Sequence, residues 1–196
     1  VAVYVAKLQN KQQLKQLQDE HNLQREFFEK QEENERERIF LQYTIERAER
    51  SYEILSDLRI AKNLFADSIF EFVKMIPKEV ESDEDIEFER IFPLLYSDYL
   101  LPKYDAIIKL RDLLLLTLVI QDDIELSRLK DEVRKEVSIF ADYHKRISQV
   151  KNFEDYKEVA EDFMKKSQLT EKCDELRTYL TKYITETTFR LVSPEK

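Results

Sequence analysis

Hydrophobic residues are sparse over the first 38 positions and dense after them. Val1–Ala6 is apolar, Lys7–Gln18 is rich in Gln and Lys, and Glu29–Arg38 (EKQEENERER) has no apolar residue in ten positions. Leu8, Leu14, Leu17, Leu23, Phe27 and Phe28 include the threes and fours of a helical seam but sustain no clean heptad. Residues 7–38 contain no Pro and are rich in strong helix formers. A helix polar on most sides bridges solvent or depends on a partner. Residues 1–38 therefore read as a stalk or weak coiled coil.

From Ile39 the pattern becomes amphipathic. Ile39, Phe40, Tyr43, Ile45, Tyr52, Leu55, Leu58, Leu64, Phe65, Phe72, Val73 and Ile76 recur mostly at threes and fours, which predicts one helical face. Pro77 should close that helix near Met75. Ser82 and Asp85 resemble a capping box, so a short helix is expected over about 83–92, broken or restarted at Pro93 and again at Pro102. The segment from Ile107 to Ile120 is apolar on nearly all sides, which predicts a central helix. Beyond Asp122–Asp123 one stripe remains: Leu126, Leu129, Val133, Val137, Phe140, His144 and Ile147. Asn152 is the expected cap of a helix burying Phe153, Tyr156, Ala160 and Phe163. Thr170 is the expected cap of a last helix burying Cys173, Leu176, Leu180, Tyr183, Thr187 and Leu191.

Composition strengthens this reading. Glycine is absent, although average usage would give roughly fourteen in a chain of 196 residues. Its absence excludes Gly-rich phosphate loops and makes tight hairpins hard to build. The fold expected is all-α: an antiparallel bundle of about four to five helices over 39–192, behind an N-terminal helical stalk over 1–38, with a tail at 193–196.

Charge and cysteine content narrow the function. With 32 basic and 41 acidic residues the net charge is −9, which opposes phosphate-backbone binding. Arg47, Arg50, Lys145 and Arg146 stand among too many acids to form a basic face, so nucleic acid is not an expected partner. The lone Cys173 permits no internal disulfide, fits a reducing, cytoplasmic compartment and reads as a small apolar core residue. Leu113–Ile120 (LLLLTLVI) has eight residues, against the roughly twenty needed to span a bilayer. Val1 is not a methionine, and VAVYVA followed by Lys7, Lys11 and Lys15 resembles the end of a membrane helix with its cytoplasmic flank. On that reading the chain is a fragment of a longer protein, an anchor precedes Val1, Tyr4 sits at the interface, and the domain lies on the cytoplasmic face of a membrane. The plainer reading is the ragged start of an ordinary helix.

Candidate chemistry is thin. Asp83–Glu87 starts like a calcium loop but lacks the turn glycine, so it reads as a capped helix start. Asp122, Asp123 and Glu125 resemble, over four residues, the aspartate-rich magnesium motifs of helical prenyl-transfer enzymes. No second acidic motif faces them, and a solvated rim explains them more simply. His144 lacks the Glu three residues earlier that a di-iron bundle needs, since Ala141 stands there. It reads as a bundle-edge histidine able to sense pH. His21 lies in the stalk. Tyr96, Tyr99 and Tyr104, between and beside the two prolines, either cap the bundle core or form a protein-docking surface. No catalytic, cofactor or metal residues are assigned. The expected function is a non-enzymatic helical interaction or scaffold protein, tethered to a membrane or larger assembly through its N-terminal helix. The partner expected there is another protein or a second copy of the chain. A ligand-sensing bundle and a metal-dependent enzyme using Asp122, Asp123 and Glu125 are the alternatives.

Overall fold

The computed structural model describes the backbone of residues 2–75, 84–118 and 123–192, and side chains over 14–74, 88–118 and 123–192. Among the described residues there is no strand. Helix α1 covers Ala2–Met75, α2 Glu84–Leu95, α3 Leu101–Thr117, α4 Ile124–Ser148, α5 Phe153–Lys166 and α6 Leu169–Val192, with a π-helical turn at Tyr96–Leu100 between α2 and α3. The chain is an all-α antiparallel bundle carrying a long N-terminal helix.

Helix α1 is the organising element. Its C-terminal half packs against α6 and α3, and makes smaller contacts with α5 and the π turn. Burial on α1 starts at Thr44 and runs through Ala48, Ser51, Leu55, Leu58, Phe65, Ile69 and Phe72, at coiled-coil steps of four and three apart from the seven-residue step across half-buried Lys62. The small polar members cost little. Thr44 Oγ1 donates to the Phe40 carbonyl at 2.8 Å, Ser51 Oγ to that of Arg47 at 2.8 Å, and Ser68 Oγ to that of Leu64 at 2.9 Å. Small side chains here let neighbouring helices approach closely. Ile39, Phe40, Tyr43 and Leu64, expected on the inward face, stand in solvent instead. Their spacings are helical, but they lie off the seam that Thr44, Ala48 and Ser51 define.

Two further expectations change. Pro93 lies inside α2 and does not break it. A wider turn follows it: the Leu101 N–H reaches back five residues to the Tyr96 carbonyl. Pro102, in the first turn of α3, has no N–H to offer the Asp98 carbonyl, so the α-helical ladder cannot run through this point. The apolar helix α3 is peripheral rather than central. Ile107, Leu114 and Leu118 are buried, whereas Leu113 and Leu116 face solvent. Ser82, Asp83 and the 119–122 segment lie outside the described residues.

The second half follows its pattern closely. All seven predicted stripe residues of α4 are buried, joined by Tyr143. Asn152 caps α5, its side-chain oxygen accepting from the Asp155 N–H at 2.8 Å. Thr170 does not cap α6, because the helix already starts at Leu169 and the Thr170 hydroxyl is buried without a hydrogen-bond partner. The helices are cross-tied by polar clamps. Asp162 of α5 receives the Tyr143 hydroxyl at 3.0 Å, Arg146 at 2.9 Å and Lys166 at 2.7 Å, which holds its carboxyl well below the usual carboxylate range. Arg177 of α6 lies over the Tyr52 ring of α1 and donates to its hydroxyl at 2.8 Å.

Candidate functional site

Three places gather functional groups. The first is the π turn. Tyr96 Oη lies 2.9 Å from His144 Nε2, and the Tyr104 ring stacks on the imidazole at 3.6 Å between centroids and 2° between planes. Phe140, one turn earlier on α4, lies parallel to the same Tyr104 ring at 6.1 Å between centroids. His144 is 9% exposed, and burial lowers its pKa below the ordinary 6.5 against a partial opposing pull from Asp105. Burial also raises the Tyr96 phenol. A neutral ring carrying its proton on Nδ1 can accept the Tyr96 O–H at Nε2. Of the three tyrosines singled out from sequence, Tyr96 and Tyr104 are thus turned onto α4, and Tyr99 is exposed beside Lys103. Tyr96 follows Phe88 and Phe92 at steps of four, and His144 follows Phe140 by four, so each lies on a face that spacing shows; that the two faces meet is a contact between residues 48 positions apart, which no local pattern encodes.

The second place is the start of α4. Asp123 Oδ1 accepts the Leu126 N–H at 2.9 Å, and both carboxylate oxygens receive the Tyr179 hydroxyl, at 3.0 and 2.9 Å. Burial, then the Asp123 carboxylate, pushes the Tyr179 phenol up to about 12. Glu125 is held by Arg128 at 2.6 and 2.9 Å. These carboxylates serve a helix cap, one cross-tie to α6 and one ion pair within α4, an arrangement that leaves Asp123 little freedom to ligate a metal. Asp122 lies outside the described residues. Among the described residues no three His, Cys, Asp or Glu side chains converge in a metal-binding group. An open groove between α1 and α3, lined by Glu46, Glu49, Arg50, Glu53, Ile54, Asp57 and Leu113, is charged rather than apolar. It does not resemble the apolar pockets that hold small ligands. Cys173 is buried in the core, and burial pushes its thiol up to about 12.

The third place is the free half of α1. Every described residue from Leu14 to Phe40 is exposed, including Leu17 at 62%, Phe28 at 63% and Phe40 at 61%. Burying one such side chain is worth roughly 1.5–3 kcal/mol, so this arm leaves several kcal/mol of burial unrealised. Its polar positions pair within the helix: Arg25 with Glu29, Arg36 with Glu32 and Arg38 with Glu35. Such exposed pairs support helicity weakly. Lys15 is exposed, while the side chains of Tyr4, Lys7 and Lys11 lie outside the described residues. No helix among the described residues is long and apolar enough to cross a membrane.

The chain matches no protein-family model, no curated protein and no solved structure.

Proposed function

We propose that the protein is a non-enzymatic interaction protein in which α1 is both the central strut of the bundle and the arm by which the bundle joins a larger assembly. The observation carrying this reading is the row of exposed large apolar side chains on a helix that extends past its own bundle. From Leu14 to Tyr43 the arm is about 45 Å long, long enough to hold the bundle clear of whatever the arm engages. A membrane is a second attachment surface. The Lys7, Lys11 and Lys15 spacing after an apolar segment favours it, and with it a place on the cytoplasmic face.

Site-specific photo-cross-linking in cells tests the arm. A photoreactive residue in place of Phe28 should give adducts of discrete mass, and one at exposed Lys157 on α5 should not. The pair Leu17→Ser and Phe28→Ser should abolish association while changing bundle stability by no more than about 0.5 kcal/mol. Equal labelling from both positions would sink the proposal. Recovery of the adducts on lipid alone would favour the membrane surface.

A further inference from the structure

Helix α2 is fastened to the bundle at few points. Among its described side chains Phe88 and Phe92 are buried, while Ile91 and Leu94 face solvent. The two phenylalanines rest on Phe72 of α1 and Tyr156 of α5, with ring centroids 5.7–6.4 Å apart. The backbone gives this segment less support than an ordinary helix would have. Pro93 and Pro102 bring no N–H to the carbonyls four residues before them, so the helical ladder is thinned on both sides of the π turn. Side-chain anchors therefore decide whether α2 stays down.

The next anchor is His144. Tyr96, one turn after Phe92, brings its hydroxyl to 2.9 Å from Nε2, and Tyr104 in the first turn of α3 covers the face of the same ring. One imidazole on α4 thus holds the start of the π turn and the start of the helix beyond it. Among the described residues, the groups facing the ring are the Tyr96 and Tyr104 phenols, the Phe140 ring and the Asp105 carboxylate of α3. Ser148, one turn further along α4, acts on Tyr96. Lys145 and Arg146 are exposed, and Arg146 pairs with Asp162 of α5. A proton added to the ring places a charge where water scarcely reaches, with exposed Asp105 as a partial counterweight. Lifting α2 and the π turn returns that charge to water.

We propose that α2 is a strap latched by the Tyr96–His144 contact, and that protonation of His144 releases it about the π turn, uncovering the aromatic face of Phe72 and Tyr156. The opening is local, because α1, α3, α4 and α6 pack on one another without α2. Acid shifts the population toward the open form because the open form binds the proton more tightly. This device is independent of the arm.

Amide hydrogen exchange of the full chain, corrected for the intrinsic pH dependence of each amide, tests the latch. The Ile91 and Phe92 amides of α2 should open more readily than that of Leu180 on α6. Their opening should grow as the pH falls from about 7.5 to 5.5, by at most about tenfold. His144→Gln should remove that growth. Tyr96→Phe keeps the ring and should raise their opening roughly two- to tenfold at about pH 7.5, because a bond broken in an opening counts in its equilibrium. The proposal is overturned if Ile91 and Phe92 open no more readily than Leu180. It is also overturned if their opening ignores acid, keeps its acid response in His144→Gln, or ignores Tyr96→Phe. Should His144→Gln fail to fold, the wild-type acid response and Tyr96→Phe decide.

Discussion

At the scale of single residues, His144 is the group whose protonation matters most. The folded protein buries the ring between the Tyr96 hydroxyl and the Tyr104 face, which favours its neutral form, while the unfolded chain takes up a proton near pH 6.5. Because the folded pKa is lowered, the unfolded state binds more protons below that pH. Stability is therefore fully present above about pH 6.5 and declines as the pH falls toward the folded value. Urea denaturation between about pH 7 and 5 should show this slope above the range where carboxylates titrate. His144→Gln should flatten it. An unchanged slope would assign the pH dependence elsewhere.

Among elements, the joint between α4 and α6 depends on Asp123, which starts α4 and receives Tyr179 from α6. A lost N-cap costs about 0.5–2 kcal/mol, and a hydrogen bond to a charged group is worth about 1.5–3 kcal/mol. Asp123→Ala should thus destabilise the bundle by about 2 kcal/mol and Tyr179→Phe by less, as read by chemical denaturation. The variant should also let Tyr179 titrate earlier in a phenolate absorbance titration. The raised phenol contributes stability that is lost as pH climbs from 10 through its folded value of about 12. A neutral Asp123→Ala would show that neither the cap nor the Tyr179 bond holds this joint together. This joint also shows what periodicity can and cannot reveal. The stripe on α4 was legible because burial on one side of a long helix writes itself at threes and fours, and Asn152 was legible because capping is local. The Asp123–Tyr179 bond joins residues 56 positions apart, and no local pattern encodes that. On α1 the inward seam was partly hidden because Thr44, Ala48 and Ser51 are small or polar, while the larger Ile39, Phe40 and Tyr43 beside them drew the reading outward.

For the molecule as a whole, one helix serves two environments. Its second half packs against α3, α5 and α6, while the described residues of its first half, Leu14 to Phe40, are all exposed. The all-α fold followed from composition and spacing, because a chain without glycine and with few prolines has few other ways to bury its stripes. The candidate site was less legible. Exposure is a property of three-dimensional neighbours, and no spacing in the sequence shows that Ile39, Phe40 and Tyr43 face water.

The continuity of α1 also has a consequence for helical phase. With no glycine or proline between Ala2 and Met75, the helix offers no swivel, so the number of residues between the apolar stripe and the bundle sets the direction in which the bundle faces. Two residues inserted after Arg38 would turn the bundle by about 200° around the arm, whereas seven would leave it about 20° from its original heading. Spin labels at positions 28 and 157 should report the half-turn as a changed separation. Separation unaltered by two extra residues would mean that the helix unwinds between arm and bundle. With a rigid α1, the protein works as a crank whose angle is counted in amino acids.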